Sequence, residues 1–221
     1  MKLISTLVAI VTLTSAAFAG DSSRLLSNLK AGKKQTVVTY GTSLTAGGAW
    51  VKQLQQALDE KFPGQATVIN SGQGSKWSQW GVENLDERVI AKKPDAVFIE
   101  FAINDAFLDY KTSVEQARSN LENMIGRILA SKPDTEIILM TMNPPWGVQL
   151  SRRPQVADYY QMYRDVAKDR KLMLIDNYAN WLRVQEDNAL FKKLIPDLVH
   201  PNAEGSTQVT TPAILKTLGI Q

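Results

Sequence analysis

The sequence predicts an α/β fold in which helices cover both faces of a mostly parallel β-sheet. Two observations carry this prediction. Short apolar, β-branched runs alternate with longer segments of helical periodicity, and no internal repeat or low-complexity tract interrupts the alternation. Strands that alternate with helices are joined by right-handed crossovers, so neighbouring strands run in the same direction.

Five short apolar runs are the predicted strands. They are TVVTY (36–40), ATVINSG (66–72), AVFIEF (96–101), EIILMTM (136–142) and LMLID (172–176). Continuous apolar runs of this length are typical of strands that are buried on both faces.

Helical periodicity separates these strands. Residues 49–62 carry apolar side chains at helical spacing, and Pro63-Gly64 ends this helix. Further helices are predicted over 79–92, 113–132, 155–170 and 203–218, with a short one near 178–185.

The first 19 residues have the pattern of a secretory signal peptide. Lys2 precedes an apolar run over 3–13, and AFA (17–19) fits a small-x-small cleavage site. We therefore expect cleavage after Ala19, followed by a single domain over 20–221 that is secreted or periplasmic. The alternative, a retained membrane anchor, would need a longer apolar run.

Composition argues against several classes of protein. Cysteine is absent, so disulfides, thiolate nucleophiles and cysteine zinc sites are impossible. The formal net charge is only +3, without a cluster of basic residues, so we expect no nucleic-acid partner. The only histidine is His200, which leaves no HExxH zinc motif, and we expect no metal or cofactor. No later run is long and apolar enough for stable membrane insertion.

Small and polar residues follow the first four predicted strands. They are GTSLT (41–45), GQGS (72–75), IND (103–105) and NPPW (143–146). In open parallel sheets ligands bind at the carboxyl ends of the strands. The sequence therefore predicts that these segments meet at one edge of the sheet.

Ser43 is the expected nucleophile, because it follows a glycine at a strand end and precedes a helix. A serine hydroxyl needs a base, and His200 is the only imidazole available. Asp197 is the expected partner of His200, with Asp176 as the competing carboxylate. The alternatives without catalysis are a Gly-Thr-Ser turn that only caps a helix and a solvent-exposed histidine.

Acyl transfer to serine also needs donors for the developing oxyanion. Suitable groups are the backbone N–H of Ser43, the backbone N–H of Gly74 or Ser75, and the side-chain amide of Asn104. For Asn104 the alternative is an Asx turn that satisfies only local backbone groups.

Four blocks of the sequence resemble the SGNH (GDSL) hydrolase family, in the family's order. They are YGTSLTAGG, NSGQGS, FAINDA and DLVHPNAEG, which span residues 40–205. The resemblance implies a three-layer α/β/α fold of the flavodoxin-like type, built on the five predicted parallel strands. It also implies Ser43 as nucleophile, Asp197 and His200 as the remaining catalytic pair, and an oxyanion hole from Ser43, the second-block glycine region and Asn104.

Two positions need comment. Thr42 stands where the family has an aspartate before the serine. We expect that aspartate to support the loop rather than the chemistry, so hydrolysis is retained. Alignment from Asn70 places either Gly74 or Ser75 at the oxyanion position, and either could serve because the donor is a backbone N–H.

These observations favour a serine esterase whose substrate is a small-molecule or glycan ester. A carbohydrate O-acetylesterase is the first expectation, because of the export signal and because Trp77 and Trp146 lie on segments that should flank the site and could stack on sugar rings. The alternatives are a lysophospholipase or thioesterase, an acyltransferase to a sugar hydroxyl, and a non-catalytic binding module. In the long loop 144–155, Arg152 and Arg153 would either meet an anionic substrate or be solvated.

Overall fold

A computed structural model of the protein describes residues 23–220, and the predicted signal peptide, residues 1–19, lies outside them. Five parallel strands form one sheet in the flavodoxin-like order β2-β1-β3-β4-β5. Their bounds are β1 (Gln35–Gly41), β2 (Ala66–Asn70), β3 (Ala96–Glu100), β4 (Glu136–Thr141) and β5 (Met173–Asp176). The five predicted strands are confirmed, with every end within about two residues.

Helices flank the sheet. They are α1 (Arg24–Lys30), α2 (Ser43–Ala46), α3 (Ala49–Lys61), α4 (Ser78–Glu83), α5 (Leu85–Arg88), α6 (Ala102–Asp105), α7 (Val114–Ser131), α8 (Val148–Ser151), α9 (Val156–Arg170), α10 (Asn177–Gln185), α11 (Asn188–Leu194), α12 (Ala203–Gly205) and α13 (Thr211–Leu218). Short 3₁₀ turns occur at Ile90–Lys92 and Leu108–Tyr110. Among residues 23–220, no helix combines the length and the apolar character that crossing a bilayer requires.

Two helical layers cover the sheet. Helix α7 packs against α4 and α9 in one layer, and α3 packs against α13 in the other. Strands β3 and β4 are buried along their whole length, as expected for central strands covered on both faces. The predicted three-layer α/β/α fold is therefore confirmed.

The segment predicted to be helical near 79–92 is helical but not continuous, since it folds as α4, α5 and a 3₁₀ turn. Side chains from elsewhere bind its carbonyl oxygens: Tyr40 donates to Gly81 O (2.8 Å), Arg127 to Val82 O (2.7 Å) and Ser71 to Arg88 O (2.7 Å). These tertiary hydrogen bonds satisfy carbonyls that a continuous helix would bond internally.

The two ends of the described chain also differ from the sequence prediction. The predicted helix over 203–218 contains a π-helical turn at Ser206–Thr210 between α12 and α13. The N-terminal helix α1 was not predicted. Its leucines are buried in the core, and Glu136 anchors its start by accepting hydrogen bonds from the Ser23 hydroxyl (3.0 Å) and the Leu25 N–H (2.7 Å).

Candidate active site

Ser43 is the first residue of α2, directly after β1. The residue that caps this helix is Thr42, whose hydroxyl oxygen accepts a hydrogen bond from the Leu44 N–H (3.1 Å). The hydroxyl of Ser43 is therefore not used for capping. It faces the carboxyl edge of the sheet, where it meets the side chain of His200.

Ser43, His200 and Asp197 form a continuous chain of hydrogen bonds. The Ser43 Oγ lies 2.7 Å from the His200 Nε2, and the His200 Nδ1 lies 2.5 Å from the Asp197 Oδ2. With the proton on Nδ1 donated to the carboxylate, Nε2 is free to accept the serine proton. The structure thus brings together the three residues that the sequence analysis selected.

Asp197 organises its own loop as well as the imidazole ring. Its Oδ1 accepts hydrogen bonds from the backbone N–H of His200 (2.7 Å) and of Val199 (3.1 Å). Partial burial alone would raise the pKa of Asp197, but these hydrogen bonds and the one from the imidazole outweigh burial and lower the pKa. The carboxylate is therefore ionised when it orients His200.

The competing carboxylate, Asp176, is occupied elsewhere. Arg164 binds both of its oxygens (2.8 and 3.0 Å), and Thr141 donates a further hydrogen bond (2.6 Å). Burial of Asp176 is again outweighed by these partners, which lower its pKa. Asp176 thus ends β5 and fixes α9 and α10, and Asp197 alone of the two reaches His200.

Two cavities adjoin the Ser43–His200 pair. The lining of the larger one, of about 460 Å³, includes the buried apolar side chains of Leu44, Trp50 and Met142. The smaller, of about 170 Å³, is lined by Ser43, His200, Ser75, Ile103, Asn104, Phe107, Tyr110, Gln149 and Arg153, among others. Both cavities are therefore in contact with the proposed nucleophile and base.

The residues that carry the candidate oxyanion donors line different cavities. Ser75 and Asn104 line the smaller cavity, and Gly74 lines the larger one. Ser75 has a left-handed backbone (φ 56°), a conformation that glycine favours. The Asn104 Nδ2 donates one hydrogen to the Lys76 carbonyl (2.8 Å), and its second hydrogen has no acceptor among residues 23–220.

Trp77 and Trp146 lie outside the residues that line either cavity. The ring of Trp77 stacks on Tyr110, with 4.4 Å between ring centroids. Trp146 packs beside the Lys192 ammonium, which lies 4.4 Å from its ring centroid. The aromatic side chains that line the smaller cavity are instead Tyr110 and Phe107. Contact between the two tryptophans and a substrate stays a prediction.

Glu100 is a buried residue beside the Ser43 turn that sequence reasoning missed. It ends β3 and accepts hydrogen bonds from the Thr42 N–H (2.7 Å), the Thr42 hydroxyl (3.0 Å) and the Thr45 hydroxyl (2.6 Å). Gly41 pairs with Glu100 in the sheet, and a Cβ at Gly41 would lie 2.2 Å from the Glu100 Oε1, so only glycine fits there.

The environment of Glu100 gives Thr42 a structural role. Burial raises the pKa of Glu100 to about 7, although the hydrogen bonds from Thr45 and Thr42 oppose this rise. Thr42, at the position of the family's aspartate, offers this carboxyl a hydroxyl donor instead of a second negative charge. Burial likewise raises the pKa of Asp105, next to Asn104, to about 7.

In the part of the chain that the structure describes, no three histidine, aspartate or glutamate side chains lie close enough together to bind a metal ion.

Comparison with known proteins gives a consistent picture. The model of the GDSL-like lipase/acylhydrolase family matches residues 38–207. No curated protein matches the chain. Among solved structures, the acetylxylan esterase of Geobacillus stearothermophilus shares the fold, with a TM-score of 0.73 and 23% identity over 86% of this chain and 96% of that one.

Two further groups of solved structures are informative. An alpha/beta hydrolase from the metagenome of Lake Arreo, Spain, has a TM-score of 0.74 and 22% identity over 85% of this chain and 96% of its own. Three structures are catalytic mutants of the Geobacillus esterase, in which a serine, a histidine or an aspartate is replaced by alanine.

Proposed function

Because this chain belongs to the GDSL-like lipase/acylhydrolase family and is a carboxylic ester hydrolase, we propose that it is a serine esterase with Ser43 as nucleophile, His200 as base and Asp197 as the carboxylate that orients His200. The observation that carries the proposal is the hydrogen-bonded chain from the Ser43 Oγ through the imidazole to Asp197, with links of 2.7 and 2.5 Å.

In the first half of the reaction, the Ser43 Oγ bonds to the ester carbonyl carbon while its proton passes to the Nε2 of His200. The carbonyl electron pair moves onto oxygen, and the resulting imidazolium is stabilised by Asp197. The tetrahedral intermediate then collapses, the bond to the alcohol oxygen breaks, and His200 gives its proton to the leaving alcohol. Water, deprotonated by His200, then attacks the carbonyl carbon of the acyl-serine. The bond from that carbon to the Ser43 Oγ breaks, His200 returns the proton to the Oγ, and the acid is released.

The oxyanion of this reaction fits the smaller cavity. Ser43, Ser75 and Asn104 all line it, and Asn104 has a hydrogen without an acceptor. We therefore favour Ser75 over Gly74 as the second backbone donor, together with the Ser43 N–H and the Asn104 amide. Donors fixed in place before charge develops are worth more to catalysis than donors that must reorganise.

A short acyl group on a carbohydrate is the substrate we favour. An ester whose carbonyl oxygen lies among these donors has its acyl group near a cavity of about 170 Å³, which suits acetyl. The larger cavity, about 460 Å³, has the size of a small-ligand site and is left for the alcohol. The fold shared with an acetylxylan esterase supports the same choice.

One observation favours a second candidate, a lysophospholipase or thioesterase. The larger cavity is lined in part by the buried apolar side chains of Leu44, Trp50 and Met142, and a longer acyl chain would be stabilised by burial against them. An acyltransferase would use the same three catalytic residues and differ only in the acceptor that attacks acyl-Ser43. A non-catalytic binding module would keep the cavities without turnover.

Hydrolysis of p-nitrophenyl acetate, butyrate and octanoate separates these candidates, with Ser43→Ala and His200→Ala measured alongside. We expect acetate to be the preferred chain length and both variants to lose nearly all activity. Release of acetate from acetylated xylooligosaccharides then tests the carbohydrate proposal, and competition by added sugar acceptors tests transfer. A wild-type protein inactive on every ester would contradict the proposal.

We also propose export with cleavage after Ala19, on the pattern of residues 1–19. Expression of the full chain with its own leader, followed by mass measurement of the exported protein, tests this. A mature N-terminus at Gly20 is expected, and retention of the full chain in the cells would contradict it.

A further inference from the structure

Arg153 is a buried cation beside the proposed oxyanion site. It is only 8% exposed, although it lines the smaller cavity together with Asn104. Its Nε donates to the Ile103 carbonyl (3.0 Å), its Nη1 to the Gln149 Oε1 (2.8 Å), and its Nη2 to the Asn104 Oδ1 at the long distance of 3.5 Å. The guanidinium also lies 4.7 Å from the centre of the Phe107 ring.

The charge of Arg153 has no carboxylate partner among the described residues, since all its hydrogen bonds go to neutral oxygens. Burial accordingly lowers the pKa of Arg153 from its usual value. The neighbouring Arg152 makes the same contact with the Phe107 ring (4.7 Å) but differs in burial and in charge pairing. Its side chain is 55% exposed and lies 3.7 Å from Asp109, an ion pair of little energetic weight at the surface. Burial of an unpaired charge lowers the stability of a protein, so we expect Arg153 to have a role that compensates for this cost.

The contacts of Asn104 indicate that role. An amide can be inserted in two orientations, and its neighbours decide between them. At Asn104 the Lys76 carbonyl requires the NH₂ group on one side, and the Arg153 guanidinium favours the oxygen on the other. The remaining Nδ2 hydrogen belongs to a side chain that lines the same cavity as Ser43 and His200.

We propose that Arg153 is a positioning residue for the esterase reaction, holding the Asn104 amide with its NH₂ group toward the oxyanion. Its positive charge also polarises that amide, which strengthens the hydrogen bond as negative charge develops on the substrate oxygen. This inference rests on the proposed function, because it requires Asn104 to bind the oxyanion formed by attack of Ser43.

The competing role for Arg153 is direct binding of an anionic substrate group. Two features favour positioning instead. The guanidinium is almost fully buried, and three of its nitrogens already donate to protein acceptors. Direct binding would contribute equally to the ground state and the transition state, and would therefore affect KM, whereas positioning of an oxyanion donor affects kcat.

A double-mutant cycle tests the proposal with p-nitrophenyl acetate. The variants are Arg153→Met, Arg153→Lys, Asn104→Ala and Arg153→Met/Asn104→Ala, with Arg152→Met as the matched control. Active-site titration with diethyl p-nitrophenyl phosphate normalises kcat to folded enzyme, so partial misfolding of a variant does not enter the comparison.

We expect Arg153→Met to lower kcat about 30-fold, with KM within about threefold of wild type, and Arg153→Lys to recover part of this loss. In the Asn104→Ala background the same substitution should cost less than about threefold, because its target is gone. Arg152→Met should behave like wild type.

Full multiplication of the two losses in the double mutant would overturn the proposal, as would a rise in KM at unchanged kcat. Ser43→Ala in the same series separates this failure from failure of the proposed function. An active Ser43→Ala enzyme would refute the proposed function. An inactive one, beside an unaffected Arg153→Met enzyme, would refute only the role of Arg153.

Discussion

The loop of the proposed nucleophile (the nucleophile loop, residues 41–48) is anchored at the buried end of the sheet. The loop of the proposed base (the base loop, residues 196–202) lies near the surface and is held largely by its own backbone and polar side chains. Thr42 and Thr45 are fully buried against Glu100. By contrast, the side chains of Asp197 and His200 are 53% and 44% exposed, and Asp197 binds the backbone of its own turn.

A few longer-range hydrogen bonds orient the base loop on the rest of the molecule. The Asn143 amide donates to the Val199 carbonyl (2.8 Å), and the Trp146 N–H donates to the Leu198 carbonyl (2.9 Å). Asn202 caps the following helix by accepting a hydrogen bond from the Gly205 N–H (2.8 Å). These anchors fix where the loop lies without burying its charged groups.

This difference between the two loops predicts different effects of substitutions on stability and on activity. Substitutions in the exposed base loop should remove activity and leave the fold intact, because little buried surface is lost. Substitutions beneath the nucleophile loop should lower both the free energy of unfolding and activity, because they leave buried donors unpaired. The predictions below exploit this difference, beginning with the largest expected effect.

His200→Ala should lower kcat/KM by roughly 10⁴-fold or more, because no second imidazole can accept the Ser43 proton. The melting temperature should stay within about 3 °C of wild type, since the ring is half exposed. Steady-state kinetics and thermal unfolding measure the two effects. A variant that keeps a tenth of wild-type activity would remove His200 from the mechanism.

Asp197→Asn should lower kcat by about 10³-fold or more, because the amide no longer holds the imidazole in the required tautomer. Asp176→Asn is the matched control. It breaks the bonds to Arg164 and Thr141, so it should cost stability while kcat changes less than about threefold. The reverse ranking of the two variants in kcat would make Asp176 the functional carboxylate.

Glu100→Ala should lower the free energy of unfolding by roughly 2–4 kcal/mol, because three donors of Thr42 and Thr45 lose their buried acceptor. It should also lower kcat about tenfold by loosening the Ser43 turn. Thr42→Val should cost about half as much stability, because it removes one hydroxyl and keeps the backbone bond to Glu100. Chemical denaturation of both variants is the measurement, and equal losses would disprove the anchoring role of Glu100.

The last expected effect is a pH dependence of stability. Burial raises the pKa of Glu100 from 4.5 to about 7, so the folded state binds this proton more tightly than the unfolded state. The contribution of Glu100 to stability is therefore greatest below pH 4.5 and is lost as pH rises through 7.

Glu100→Gln cannot titrate and is the reference for this effect. The stability of wild type relative to the variant should fall by roughly 2–3 kcal/mol as pH rises through this interval. Asp105 is present in both proteins and burial also raises its pKa to about 7, so its own contribution largely cancels in the difference, which retains the charge interaction between Asp105 and Glu100. Urea unfolding across the interval measures this difference, and a constant difference would show that Glu100 does not titrate there.

The sequence predicts the strands and the chain of Ser43, His200 and Asp197 for a common reason. Apolar runs of strand length mark a buried parallel sheet, and the carboxyl ends of parallel strands must meet at one edge. Placement of Ser43 follows from its position after β1. His200 follows from being the only imidazole, and its short spacing from Asp197 lets the two meet in one turn.

The roles of residues whose partners are set by tertiary contacts could not be predicted from the sequence. In the sequence, Glu100 is one acidic residue at the end of an apolar run. Its contact with Thr42 arises only when β1 and β3 pair and bring Gly41 next to Glu100. Arg153 and Arg152 are adjacent in sequence, yet one is buried and the other is half exposed. Helix α8 forms inside the loop 144–155 and helps to bury Arg153. No local sequence pattern predicts this helix.

The most direct test of the central claim is covalent labelling of the nucleophile. Diethyl p-nitrophenyl phosphate transfers its phosphoryl group to an activated serine and releases p-nitrophenol. Peptide mass spectrometry of the inactivated wild-type protein should find one diethyl phosphoryl group, on Ser43, with labelling greatly slowed in His200→Ala. A label on any other serine, or inactivation of a Ser43→Ala protein at the wild-type rate, would contradict the proposed mechanism.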